Sequence, residues 1–142
     1  MHNSNENNCL SISEGNHGLN ILVVEDNPVN QKLLSLMLDD FGYNLCITEN
    51  GLEGVKAYQA QHFDLILMDI QMPIMDGFTA TAEIRALEKI SGRHVPIIAV
   101  TAHSLPGYKE KCLQAGMDNY LAKPYHIDEL HNIITETLDT LS

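Results

Sequence analysis

Asp69 closes the apolar run Leu65-Ile66-Leu67-Met68, and three other apolar runs end in a comparable way. Ile21-Leu22-Val23-Val24 stops at Glu25-Asp26, Ile97-Ile98-Ala99-Val100 at Thr101, and Tyr120-Leu121-Ala122 at Lys123-Pro124. Three carboxylates brought together repel one another and hold their protons unless a cation neutralises them. Oxygen ligands at a few positions, with room left for water and a phosphate, suit Mg2+ better than zinc or calcium. No histidine or cysteine competes for that role within the same runs. Asp69 then fits a nucleophile at the mouth of a crevice, with Mg2+ and Lys123 lowering its pKa and neutralising an incoming phosphoryl group. Phosphoryl transfer depends on in-line positioning and charge neutralisation, and the Lys123 ammonium and Thr101 hydroxyl can serve further oxygens. Singly, each residue has a plainer explanation: a loop cap, a strand terminus, a surface lysine. Their joint placement at successive strand ends favours the chemical one.

That placement requires the four runs to be parallel neighbours. Short continuous apolar runs bounded by turn signals are expected of strands buried on both faces, as in a parallel sheet. Ligands of open α/β sheets bind beyond the carboxyl ends of the strands. After the first run, Pro28 suits a first helical position, and Leu33, Leu34, Met37, Leu38 and Phe41 recur at helical spacing up to Gly42. Residues 43–48 form a less apolar second strand, and Asn50-Gly51 leads into a short helix over 52–60. A third strand over 64–69, a helix from Gly77 to about 88, a fourth strand over 95–101 and a helix over 105–115 follow. The fifth strand covers 119–122, and Leu130, Ile133, Ile134, Leu138 and Leu141 mark a last amphipathic helix. Five βα units with right-handed crossovers give a flavodoxin-like doubly wound α/β fold with a five-stranded parallel sheet. The less apolar second strand belongs at an edge and the first near the centre, which favours the order 2-1-3-4-5.

The chain has 142 residues, 44% of them hydrophobic, which suffices for one domain with a core of its own. Residues 1–18 are rich in Asn, Ser, Glu and Gly and are expected to be a flexible polar tail or linker remnant, with the domain over 19–142. Nineteen acidic residues against eight basic give a formal charge of −11, which opposes direct binding to nucleic acid or an anionic membrane. No charged leader with an apolar core and no run of membrane-spanning length is present, so a cytoplasmic location is expected. Cys9, Cys46 and Cys112 show no C-x-x-C spacing and are expected to be incidental thiols of a reducing compartment.

The segments Ile21-Leu-Val-Val-Glu-Asp-Asn27, Leu67-Met-Asp-Ile-Gln-Met-Pro-Ile-Met-Asp-Gly77, Ile98-Ala-Val-Thr-Ala102 and Tyr120-Leu-Ala-Lys-Pro124 closely resemble the receiver (response regulator) domains of two-component signalling. The resemblance runs from about residue 19 to the C-terminus, with the motifs in order, and several motifs in series are far more specific than one. It implies a domain that takes a phosphoryl group from a partner's phosphohistidine onto Asp69. Asp26 would ligate Mg2+ directly, Glu25 directly or through a water, and the backbone carbonyl of Gln71 would complete the protein's share. Lys123 would pair with the phosphoryl oxygens, Thr101 would move toward them, and a cis peptide would join Lys123 to Pro124. Tyr120 stands where receivers place an aromatic whose rotamer is coupled to the threonine, altering the surface of the fourth helix, fifth strand and fifth helix. Gln71 and His103 occupy the two variable positions that tune hydrolysis of the aspartyl phosphate, whereas His62, His94, His126 and His131 are expected to be surface or loop residues.

The implied partners are a sensor or hybrid histidine kinase, a histidine phosphotransfer protein, or both, and a downstream protein target, with the domain monomeric or weakly dimeric. The segment Val24-Glu-Asp-Asn-Pro-Val-Asn-Gln31 resembles receivers of hybrid kinases, and the chain ends soon after its last helix, as in a stand-alone regulator or a hybrid-kinase receiver. Such a domain is not an enzyme beyond catalysing its own phosphorylation and slow dephosphorylation. A magnesium phosphohydrolase of the haloacid dehalogenase type would have a second Asp where Gln71 stands. An FMN carrier would have Ser, Thr and Gly where Glu25-Asp26-Asn27 stand, and a degenerate, binding-only receiver would lack at least one of Asp26, Asp69, Thr101 or Lys123.

Overall fold

The computed structural model describes residues 18–102 and 105–141. Five strands alternate with five helices: β1 (Asn20–Val24), α1 (Pro28–Asp39), β2 (Asn44–Thr48), α2 (Gly51–Ala60), β3 (Leu65–Asp69), α3 (Gly77–Ser91), β4 (Ile97–Thr101), α4 (Tyr108–Gln114), β5 (Asn119–Ala122) and α5 (Ile127–Leu141). The sheet is parallel throughout, in the order β2-β1-β3-β4-β5. The fold class and strand order read from the sequence are those observed. The expected polar tail over residues 1–18 lies outside the described residues except for Gly18.

Why β2 lies at an edge is visible in its burial. Its first two residues are half-buried, whereas every residue of β3 and β4 is buried. Side chains alternate across each strand and feed two cores. Ile21, Val23, Leu65, Leu67, Ile98 and Val100 meet Leu34 and Leu38 of α1 and Leu130 and Ile134 of α5. Leu22, Ile66, Met68, Ile97 and Ala99 meet Val55 and Ala57 of α2, Ala80 and Ile84 of α3 and Cys112 of α4. Each such large aliphatic side chain removed from water contributes about 1.5–3 kcal/mol before chain entropy is counted.

Three expectations differ in detail. Leu33 is 47% exposed, because the buried face of α1 centres on Leu34 and Leu38 with Met37 and Phe41 beside them. Helix α4 begins at Tyr108 and not at Leu105, since Gly107 adopts φ 85°, which ends any helix running into it. Cys112 is a buried free thiol, but Cys46, also buried, is disulfide-bonded, which departs from the reading of all three cysteines as incidental thiols.

Strand ends are tied to the loops that follow them. Gly77 donates its N–H to the carbonyl of Ile70 (2.8 Å), and a Cβ there would stand 2.3 Å from the Asp69 carbonyl oxygen. The residue that starts α3 therefore packs directly on the end of β3, and only glycine permits it. Asp76 caps the same helix by accepting from the Thr79 N–H at 2.8 Å.

Candidate functional site

At the carboxyl edge of the sheet, β1 and β3 are paired, so Glu25-Asp26 and Asp69 emerge side by side. One carboxylate oxygen from each of Glu25, Asp26 and Asp69 lies within 4.8 Å of the others. Glu25 and Asp69 are only 2% and 8% exposed. β4 and β5 bring Thr101 and Lys123 to the same edge, the Lys123 N–H donating to the Thr101 carbonyl at 2.8 Å. A cis peptide joins Lys123 to Pro124, as the resemblance implied. The Lys123 ammonium lies 3.2 Å from Glu25 Oε1 and 3.7 Å from Asp69 Oδ2.

Glu25 is the most firmly held of the three acids. Its backbone N–H donates to the Thr48 carbonyl of β2 (3.0 Å), and its own carbonyl accepts from Gln31 Nε2 (2.7 Å). Its carboxylate accepts from the Asn27 N–H (3.0 Å) and Asn30 Nδ2 (3.3 Å) as well as from Lys123. Asn27 also caps α1, accepting from the N–H groups of Val29 and Asn30. Sequence reasoning missed this role for Asn27, Asn30 and Gln31. The available signal was Asn-Pro at a helix start, which marks a cap and does not say which carboxylate the cap will hold.

Asp69 is held differently. Burial, then the Glu25 carboxylate, push its pKa from 3.8 up to about 7, with Asp26 adding to the rise. Lys123 and the N–H of Ile70 oppose the shift without overcoming it. The lysine does not return Asp69 to its ordinary carboxylate range, in keeping with its closer approach to Glu25. Tyr125 lies within reach of the same field: burial, Glu25 and Asp69 push its phenol up to about 12. It was not foreseen, because its position just after Pro124 carries no pattern of its own.

Thr101 is buried at the end of β4. The half-buried Tyr120 packs its ring 6.4 Å from that of Tyr108. Gln71 is exposed two residues beyond Asp69, and His103 lies outside the described residues. Of the other histidines, His62, His94 and His126 are exposed. His131 is half-buried, stacked 4.0 Å from the Phe41 ring, so its role is in packing.

The donor set, three carboxylates whose oxygens crowd within 4.8 Å of one another with the Lys123 ammonium beside them, fits a hard divalent cation. Residues 21–135 match the sequence model of the response regulator receiver domain. The chain belongs to that family. Receivers with similar sequences occur in the hybrid signal transduction histidine kinase I of Dictyostelium discoideum, 44% identical over 119 residues and 80% of this chain. The histidine-protein kinase BarA of Escherichia coli K12 is 42% identical over 130 residues, 91% of this chain. The chain spans only 7% and 14% of those two proteins.

Among solved structures, the receiver domain of sensor histidine kinase PA1611 of Pseudomonas aeruginosa is 48% identical, with a TM-score of 0.79, over 87% of this chain and 99% of that one. It holds a magnesium ion in its active site cleft. The receiver of Saccharomyces cerevisiae Ssk1, solved with the histidine phosphotransfer protein Ypd1, is 35% identical with a TM-score of 0.78, over 84% of this chain and 88% of that one.

Proposed function

We propose that this receiver accepts a phosphoryl group on Asp69 from the phosphohistidine of a partner and changes its α4-β5-α5 surface in response. The observation that carries the reading is the meeting of Glu25, Asp26, Asp69 and Lys123 within one small volume at the sheet's carboxyl edge. Glu25, Asp26 and Asp69, with the Gln71 carbonyl, would hold Mg2+. When bound, Mg2+ supplies the positive charge that ionises Asp69 and offsets the charge of the phosphoryl oxygens. A carboxylate oxygen of Asp69 attacks phosphorus, the bond from phosphorus to the donor imidazole nitrogen breaks, and the imidazole leaves with the electron pair. Lys123 then pairs with one phosphoryl oxygen, and the Thr101 hydroxyl donates to another. That exchange alters packing around Tyr120 and so shifts the population between two arrangements.

The magnesium-bearing relative and the relative bound to a phosphotransfer protein support this reading. The proposed donors are a histidine kinase, a phosphotransfer protein or both, acting in the cytoplasm on a monomeric or weakly dimeric domain that signals to a protein target. Gln71 and His103 would set how long the aspartyl phosphate lasts. No helix among the described residues is long and apolar enough to cross a membrane. Catalysis would be limited to the domain's own phosphorylation and hydrolysis.

Incubation with Mg2+ and acetyl phosphate, read by intact mass, tests the acceptor. Wild type gains one phosphoryl group and Asp69→Asn gains none. An adduct that survives in Asp69→Asn overturns the assignment.

A further inference from the structure

The segment Asn27-Pro28-Val29-Asn30-Gln31 opens α1 directly after the two acids that follow β1, and it turns back onto Glu25. A carboxylate offers about four lone-pair sites to donors or cations. On Glu25, Oε2 accepts from the Asn27 N–H (3.0 Å) and from Asn30 Nδ2 (3.3 Å), and Oε1 accepts from the Lys123 ammonium (3.2 Å). The main chain of Glu25 is gripped as well: its N–H donates to the Thr48 carbonyl (3.0 Å), and its carbonyl accepts from Gln31 Nε2 (2.7 Å). Glu25 is 2% exposed, so these bonds are made away from bulk water, and turning the carboxylate would break them. The side chain can therefore offer a cation one oxygen, Oε1, and not two.

That limit separates two hard cations. Ca2+ gathers about 6–8 oxygens at about 2.3–2.6 Å, commonly takes both oxygens of one carboxylate, and tolerates a flexible shell. Mg2+ holds its octahedron at about 2.0–2.1 Å, keeps several waters and needs few carboxylate oxygens. We propose that Asn30 is a positioning residue that sets cation choice, its amide keeping Glu25 from closing on a cation with both oxygens and so favouring Mg2+ over Ca2+. The inference rests on the reading of Glu25, Asp26 and Asp69 as the cation site and adds what makes that site selective. Of the two donors to Oε2 among the described residues, Asn30 is the one a substitution removes, since the Asn27 donor is main chain. The Asn30 main-chain N–H bonds to Asn27 Oδ1 (3.1 Å), so Asn30→Ala keeps the helix start and introduces a better helix former.

Mg2+ or Ca2+ alone, titrated into the full chain and followed by 1H–15N NMR, is the test. Asn30→Ala is expected to lose roughly 10-fold in Mg2+ affinity, the lower end for a group that orients a metal ligand. Its Ca2+ affinity should hold or rise, so the preference moves toward Ca2+ by that factor or more. The Asn27 amide gives a signature of its own: Ca2+ should move it in the variant, as Oε2 turns from it to the cation, and much less in wild type. In a Glu25→Gln background, where the side chain cannot chelate, the same change should leave the ratio of the two affinities untouched. An equal fall for both cations overturns the proposal, because lost stability or a changed local field weakens both alike. An unchanged ratio, or one that moves toward Mg2+, overturns it too, as does a shift toward Ca2+ that survives in Glu25→Gln. If neither cation moves the amides of Glu25, Asp26 and Asp69 in wild type, or if Asp26→Asn binds Mg2+ as wild type does, the cation site itself falls and this inference with it.

Discussion

Burial and the Glu25 carboxylate keep the Asp69 proton in place to a pH of about 7, against an ordinary value of 3.8. An acid whose folded pKa is raised binds its proton more tightly in the native state than in the unfolded one. Metal-free stability therefore falls as pH rises from about 4 to about 7, and above that the loss is complete. Asp69→Asn removes this dependence. We expect the variant to gain on wild type across that window, reaching an advantage of roughly 1–2 kcal/mol at pH 8, well below the full linkage value because solvent and Lys123 screen the group. Urea unfolding in chelator at pH 5 and pH 8 measures the difference, and a constant gap between the two proteins would contradict it. At this scale the sequence disclosed which residues meet, since strand ends in a parallel sheet leave few alternatives. It did not disclose how they share charge: that Lys123 approaches Glu25 more closely than Asp69 depends on sub-ångström placement that no spacing encodes.

Two elements carry features the motifs did not announce. In the loop between β3 and α3, Ile74 has φ 71° and is 76% exposed. A β-branched residue is strained in the left-handed region, where asparagine is tolerated far better. Ile74→Asn should raise stability by about 1 kcal/mol, read from the denaturant midpoint at unchanged slope. An unchanged midpoint would mean that the loop has no strain to relieve. On α3, Arg85 gathers what the far edge of the sheet needs. Its guanidinium reaches Glu88 (2.6 Å), Asp118 (2.8 Å) and the carbonyls of Val95 (2.8 Å) and Gly116 (2.9 Å). Glu88 is 5% exposed and accepts from Tyr58 and the Val95 N–H as well. Arg85→Met leaves that carboxylate buried without its cation and should cost about 3–5 kcal/mol, measurable by the same unfolding curves. A loss under 1 kcal/mol would show that water reaches the cluster. The helix pattern made α3 legible; the four-way role of Arg85 was not, because only the Arg85–Glu88 spacing is local, and Asp118 is brought up by two later elements.

Across the whole molecule, carboxylates stand at both edges of the sheet in opposite circumstances. At the amino edge, Asp64 accepts from the Asn20 N–H and Asp118 from the Ile97 N–H and Arg85, all at 2.8 Å, so these acids pin strands in place. At the carboxyl edge, among the described residues, Glu25 and Asp69 share the Lys123 ammonium, with the Asp26 carboxylate beside them. The fold is thus stabilised at one end and kept short of positive charge at the other. Millimolar Mg2+ should raise the melting temperature by several degrees at pH 8 and by much less at pH 5, where Asp69 holds its proton and competes with the cation. Equal shifts at both pH values would place the cation elsewhere.

The loop after Asp69 combines opposite demands within eight residues. At its far end Gly77 sits against the Asp69 carbonyl, where even one methyl group would collide. At its tip Ile74 faces solvent in a backbone conformation that other residues adopt more easily. Duplicated copies of this gene would accordingly diverge along the loop in a graded way, unchanged where it joins the helix and free where it projects. New recognition at the rim could arise in such lineages while the transfer chemistry beneath is inherited intact.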